Sequence, residues 1–209
     1  MSKPLVVALV GFGNIGSGVV AHLQAHGPMI DARLRRPLRL KTICDRDLTT
    51  DRGVSIDAYH KTTDFREVLA DPEIDAVIEL VGGTRVARDV VMGALEAGKH
   101  VVTANKALVA TFGGELFRAA GKGGAQLLFE SAVMAGVPII RSLNQGLAPA
   151  RFLSMAGILN GTCNYILTEL AQTPDASYDQ VLADAQRLGY AEPDPTLDVE
   201  GNDAAHKVA

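Results

Sequence analysis

Tryptophan is missing from the sequence, aromatic residues make up only 5% of it, and it holds two cysteines in 209 residues. Cys44 and Cys163 lie far apart, without the paired spacing of a zinc module or the density of a disulfide framework. Each reads as an ordinary buried thiol, and a reducing, cytoplasmic setting is expected. No apolar run approaches the roughly 18 residues that span a bilayer. The N-terminal run has only Lys3 ahead of it and no signal-type cleavage pattern, so no membrane is expected. Charge of one sign is lacking too. Twenty Lys and Arg against 24 Asp and Glu give a formal −4, with no long block of either sign, and no nucleic-acid partner is expected. What the chain does have is 47% hydrophobic residues and 21 glycines, which is enough apolar material for a packed core.

Strand-like apolar runs recur at 5–10, 38–44, 76–81, 100–103 and 126–130, with helical spacing at 15–24, 64–69, 85–97 and 114–120. This rhythm predicts an α/β fold with a parallel sheet and crossover helices. Strands covered on both faces are nearly uniformly apolar, and Glu79 is the exception within its run. After Pro138 the rhythm stops. A glycine-rich segment at 156–162 and a polar helical candidate at 177–188 follow, so a domain change is placed at residue 135/136. Residues 200–209 read as a helix start capped by Asn202 or Asp203, with nothing following to end it.

The stretch "GFGNIG" at 11–16 sits between an apolar run and a helical pattern. Gly11, Gly13 and Gly16 fit the G-x-G-x-x-G spacing, for a tight turn, close backbone approach to a pyrophosphate and close helix–strand contact. Phe12, Asn14 and Ile15 complete a loop whose backbone N–H groups face the phosphates at a helix N-terminus. Asp45 follows the second run, where it either hydrogen-bonds an adenosine ribose or starts a turn. Arg46 beside it suits a 2′-phosphate or stacking over adenine, which leaves NAD and NADP both open. Gly82, Gly83 and Thr84, and Thr103 through Lys106, follow the next two runs. Loops at the carboxyl ends of parallel strands line one crevice, so Lys106 is expected to point into it.

Four further stretches carry a family resemblance: "VTANKAL" (102–108), "ESAVMAGVPII" (130–140), "GILNGTCNYIL" (157–167) and "LGYAEPDPTLDVEGNDAAHKVA" (188–209). In this order after the glycine loop, they resemble homoserine dehydrogenase, from Leu5 to the last residue. The resemblance implies a Rossmann-type NAD(P)-binding domain over 1–135 and part of an α+β substrate-binding and dimerisation domain over 136–209. It implies an oxidoreductase that interconverts L-homoserine and L-aspartate 4-semialdehyde in threonine and methionine biosynthesis, acting as a homodimer on a small amino-acid substrate. The family's catalytic lysine falls on Lys207 and its second active-site lysine on Lys106. Its substrate-binding residues fall on Glu192, Asp198 and Asp203, with Thr162 in a loop beside the substrate. Its Na⁺ site falls on Glu130 and the backbone carbonyls of Val133, Ala135 and Val137. Family members continue beyond the catalytic lysine, so the chain is expected to be the N-terminal two-thirds of such an enzyme. Two rival readings stay open: a non-catalytic dinucleotide-binding module, and another oxidoreductase on the same scaffold.

The chemistry agrees with the residues. Hydride transfer at a terminal carbon needs a proton carrier at the oxygen, and a lysine whose ammonium is destabilised by burial or a second cation fills that role. Asp203 and Lys207 are four apart, hence on one helix face. Five acids between Glu192 and Asp203 crowd a loop of prolines and a glycine, and only a cation relieves such crowding. Asp194 and Glu200 are expected to be solvated.

Overall fold

The computed structural model describes residues 3–209. Its first compact unit runs up to Ala135 and its second from Gly136 to Ala209. In the first, β1 (Leu5–Val10) leads into α1 (Asn14–Leu34) and β2 (Leu38–Cys44), then β3 (His60–Thr62), α2 (Phe65–Ala70) and β4 (Ala76–Glu79). The unit continues with α3 (Arg85–Glu96), β5 (His100–Thr103), α4 (Lys106–Gly123), β6 (Leu127–Leu128) and α5 (Glu130–Met134). The six strands form one sheet in the order β3-β2-β1-β4-β5-β6, every neighbouring pair parallel.

The uniform apolarity of β1 follows from its central place. Val6, Ala8 and Val10 face a cluster that includes Val90, Val91, Leu95, Leu108 and Leu116 of α3 and α4. Val7 and Leu9 face the opposite cluster, with Phe12, Val20 and Ile43. Alternation of side chains along a strand thus serves two apolar layers, each fully buried side chain contributing about 2 kcal/mol.

Several elements differ from the sequence reading. Helix α1 extends well past the helical spacing read at 15–24, running through Pro28 to Leu34. Gly27 ahead of the proline has no Cβ to clash with the ring, which eases passage through that point. The edge strand β3 was not foreseen; "HKT" has no apolar run, and only its pairing with Thr42–Cys44 makes it a strand. Its brevity and charge suit an edge that must not recruit another chain. The last strand is two residues rather than five, since Phe129 leaves the extended region and Glu130 opens α5.

The regular elements of the second unit are all helices, and among the described residues it contains no strand, so the strands of the α+β part expected for it are not formed here. A short α6 (Ile139–Arg141) passes into a π-helical turn at Ser142–Gly146. After irregular chain come α7 (Gly161–Gln172), α8 (Tyr178–Arg187), α9 (Thr196–Val199) and α10 (Asn202–Val208). Ile166, Val181, Ala185 and Ala191 form its buried core. Ser177 and Gln180 close a reciprocal capping box at α8, which locates that helix start. At α10 the cap is Gly201, in the left-handed region, not Asn202 or Asp203. The Asp203 side chain is committed elsewhere. Among the described residues no helix is long and apolar enough to cross a membrane.

Candidate functional site

The chain reverses at the end of β1 through Gly11, whose φ of 102° only glycine adopts without strain. A Cβ there would lie 2.5 Å from the Leu80 carbonyl carbon, and one at Gly16 would collide with the Gly11 carbonyl oxygen. Around Gly13, by contrast, a Cβ would meet nothing within 4 Å. The two outer glycines therefore permit packing inside the protein, while the middle one faces open space. Gly13 is also the N-cap of α1 and no side chain caps that helix, so first-turn N–H groups are left for an anion. Phe12 acts through its backbone alone. Its ring is 2% exposed in the core, under the Arg52 guanidinium.

Asp45 lies at the end of β2 as expected, with a specific local task. Its carboxylate accepts the Phe12 N–H at 2.6 Å and the Asp47 N–H at 2.8 Å, tying the glycine loop to the neighbouring strand. Arg46 is exposed. Asp47 accepts hydrogen bonds from Thr49 and Thr50 and pairs with Arg52, which organises the loop that follows. Hydrogen bonds from Thr50 and Thr49 hold the Asp47 carboxyl well below the usual carboxylate range.

The next two loops lie at the carboxyl ends of β4, which neighbours β1 in the sheet, and of β5, which neighbours β4. Gly83 has φ 75° and, like Gly82, open space where a side chain would be. Thr84 is the N-cap of α3. Thr103 is fully buried, its hydroxyl donating to Glu79 at 2.5 Å. Lys106 is the first residue of α4, half-buried, directly after the cap residue Asn105.

In the second unit Lys207 and Asp203 form a half-buried pair on α10, 2.6 Å apart, and Lys207 Nζ also donates to the Leu159 carbonyl at 2.6 Å. Asn160, which the sequence reading passed over, organises this cluster. Its amide nitrogen donates to Asp198 at 2.7 Å and Asp203 at 2.9 Å, while its oxygen accepts the Cys163 N–H and caps α7. The signal available was an Asn ahead of Gly-Thr at a helix start. Thr162 lies in the first turn of α7 rather than in a loop, its buried hydroxyl donating to the Tyr190 carbonyl at 2.6 Å. Glu192 is exposed and its backbone carbonyl accepts from Gln186; its side chain makes no hydrogen bond to the Asn160 cluster. Asp194 caps Thr196 and Glu200 accepts from Asn202, both at the surface. Asn160→Ala is expected to cost about 2 kcal/mol, because it uncaps α7 and leaves two carboxylates without their shared donor. Calorimetric melting checks this, and a melting temperature equal to that of the parent would contradict it.

Glu130 is half-exposed at the start of α5, and Ala135 ends that helix with φ 49°. The Val137 carbonyl accepts the Ile139 N–H at 2.8 Å. Among the described residues no group of three or more His, Cys, Asp and Glu is gathered as metal ligands.

A parallel sheet in this order, with an uncapped helix start where the chain reverses direction across the sheet, defines a Rossmann-type dinucleotide-binding domain. Residues 11–130 match the family model described as the NAD binding domain of homoserine dehydrogenase, and residues 138–209 the model described as homoserine dehydrogenase. The chain is 49% identical over 207 residues to the homoserine dehydrogenase of Mycobacterium bovis, covering 99% of this chain and 46% of that protein. It is 45% identical over 206 residues to that of Neisseria gonorrhoeae, with 99% and 47% covered. The crystal structure of a homoserine dehydrogenase from Thiobacillus denitrificans matches with a TM-score of 0.88 at 47% identity, over 99% of this chain and 47% of that one. The chain belongs to the homoserine dehydrogenase family, and its first unit contains that family's NAD binding domain. It spans about half the length of these relatives, rather than the two-thirds expected.

Proposed function

We propose that the chain supplies the cofactor-binding unit and the catalytic lysines of an NAD(P)-dependent homoserine dehydrogenase, interconverting L-homoserine and L-aspartate 4-semialdehyde in threonine and methionine biosynthesis. The observation that carries this is the cluster of Lys207, Asp203, Asn160 and Asp198, built by the motifs that mark the family. The Gly13 cradle and the free end of α1 fit a pyrophosphate, with Gly11, Asn14, Ile15 and Gly16 around it and Asp45 and Arg46 toward the adenosine ribose. Gly83, Thr84, Thr103 and Lys106 serve the nicotinamide end, Thr103 by shaping the loop from within. NAD and NADP are both accommodated by this reading.

The nicotinamide, when bound, accepts or returns the hydride. The chain handles the proton: Lys207 takes it from the substrate hydroxyl as the carbonyl forms and returns it in the reverse direction. Asp203 orients the Lys207 amine, and Lys106 polarises the substrate oxygen. Asp198, Asp203, Glu192 and Thr162 are assigned to the amino-acid part of the substrate, whose ammonium offsets the crowded acids. A Na⁺ at Glu130 with the carbonyls of Val133, Ala135 and Val137, and a homodimeric assembly, belong to the same proposal. Quenching of nicotinamide fluorescence tests cofactor binding, and homoserine-dependent reduction of NAD or NADP tests turnover. Both are expected of the enzyme. Because the chain spans about half of its relatives, binding without turnover by these 209 residues would favour a dinucleotide-binding module.

A further inference from the structure

Glu79 occupies the one position of β4 where burial is most costly. It is fully buried at the strand's carboxyl end, in register with Val10 of β1 and Thr103 of β5, where an apolar residue would pack without losing hydration. Burial pushes its carboxyl above the usual range, while hydrogen bonds from Thr103 and Val81 act the other way. Both donors come from the ends of strands rather than from the sheet's interior. Val81 N–H reaches one carboxylate oxygen at 2.7 Å, and the Thr103 hydroxyl reaches the other at 2.5 Å.

The Thr103 oxygen in turn accepts the Asn105 N–H at 3.0 Å. Asn105 then uses its whole side chain. Its oxygen accepts the Leu108 N–H and caps α4, while its nitrogen donates to the Gly83 carbonyl at 2.7 Å and, at 3.4 Å, to that of Val81. The path closes on itself: from Glu79 through Thr103 and Asn105 to Val81 and Gly83, and back to the strand that carries Glu79. Lys106 is the next residue after Asn105, so its backbone is held by the helix cap and by the loop after β4 together.

We infer that Glu79 is a positioning residue, which through Thr103 and Asn105 locks the loop after β4 to the start of α4 and so sets where Lys106 stands against the cofactor loop at Gly82–Gly83. The inference rests on the proposed role of Lys106 for its kinetic consequence, and on geometry alone for its structural one. An acceptor is needed at both carboxylate oxygens. An amide at position 79 offers one acceptor oxygen to two donors, so in either orientation the Thr103 hydroxyl or the Val81 N–H faces an N–H₂ and loses its acceptor, and the chain of bonds is broken at that link.

The test uses Glu79→Gln, with Thr103→Val as an independent break and Thr103→Ser as the conservative rescue, in the protein that turns over homoserine and in the 209-residue chain. Hydrogen exchange followed by mass spectrometry is expected to show faster exchange by about tenfold in peptides covering 81–84 and 105–108 for Glu79→Gln and Thr103→Val, with Thr103→Ser like the parent. Exchange in β1 and β2 is expected to stay unchanged. In steady-state kinetics kcat is expected to fall about tenfold and KM for the cofactor to rise by less, because the loosened segment serves the nicotinamide end while the Gly13 cradle proposed for the pyrophosphate lies outside it. Parent-like exchange and kcat in Glu79→Gln would overturn the inference, and so would faster exchange spread evenly over the sheet. Should Glu79→Gln not fold, the Thr103 pair decides on the same readouts. Localised exchange without any change in kcat would remove the role of Lys106 in turnover and keep the lock.

Discussion

Replacing Lys207, the proposed proton carrier, by Arg is expected to lower kcat for the proposed oxidation of homoserine about a thousandfold, the scale of a lost general acid/base. Arginine keeps a positive charge opposite Asp203, so the cluster that holds α10 to Asn160 retains its charge balance. What it cannot do is surrender a proton at any pH the enzyme works at. The comparison with Lys207→Met separates the two roles. Methionine also removes the amine, and in addition leaves the half-buried Asp203 without its cation, which costs stability as well. Arg and Met variants alike in turnover and different in melting temperature is the expected pattern, read from initial rates and calorimetry. An Arg variant within a few-fold of the parent in kcat would end the assignment of Lys207 as proton carrier.

The second large effect is predicted at the glycine loop, where the three glycines are expected to fail in different ways. Gly11→Ala places a Cβ 2.5 Å from the Leu80 carbonyl carbon at a φ of 102°. Gly16→Ala drives one into the Gly11 carbonyl. Both must displace backbone between packed strands, and each is expected to destabilise the chain by about 3 kcal/mol or more. Gly13→Ala meets no protein atom within 4 Å and is expected to melt within a degree or two of the parent. Its methyl group nevertheless stands where the pyrophosphate is proposed to approach, so nicotinamide fluorescence quenching should weaken by about two orders of magnitude. Thermal melting and cofactor titration on the three variants read the two effects separately. Unimpaired binding by Gly13→Ala would place the phosphates elsewhere.

The parts of the fold visible in the sequence are those whose signal is local. β1, β2 and β5 have the bounds expected: β1 is apolar along its whole length, and β2 and β5 keep enough apolar residues among polar ones to stand out from the helical stretches around them. The helix at α8 was readable from its periodicity, and Ser177 and Gln180 mark its start. β3 was invisible, since three polar residues become a strand only by pairing with β2. The middle of α1 was misleading, since Gly27 and Pro28 signal a break that the helix passes through. At the candidate site, partners one helical turn apart were legible and those distant in sequence were not. Asp45 was expected either to hydrogen-bond a ribose or to start a turn, and in the fold its carboxylate accepts the Phe12 and Asp47 N–H groups. The pair Asp203 and Lys207 follows from a spacing of four, whereas Asn160 joins it from 43 residues away.

By itself, then, the order of residues determined the α/β rhythm, the glycine cradle and the set of acids and lysines, because periodicity and short motifs act over one or two turns of chain. Tertiary structure alone decided which buried polar groups meet: Asn160 with two carboxylates, and Glu79 with the hydroxyl of Thr103 across the sheet. A buried donor must find an acceptor wherever folding brings one, and nothing in the neighbouring residues records which one that will be.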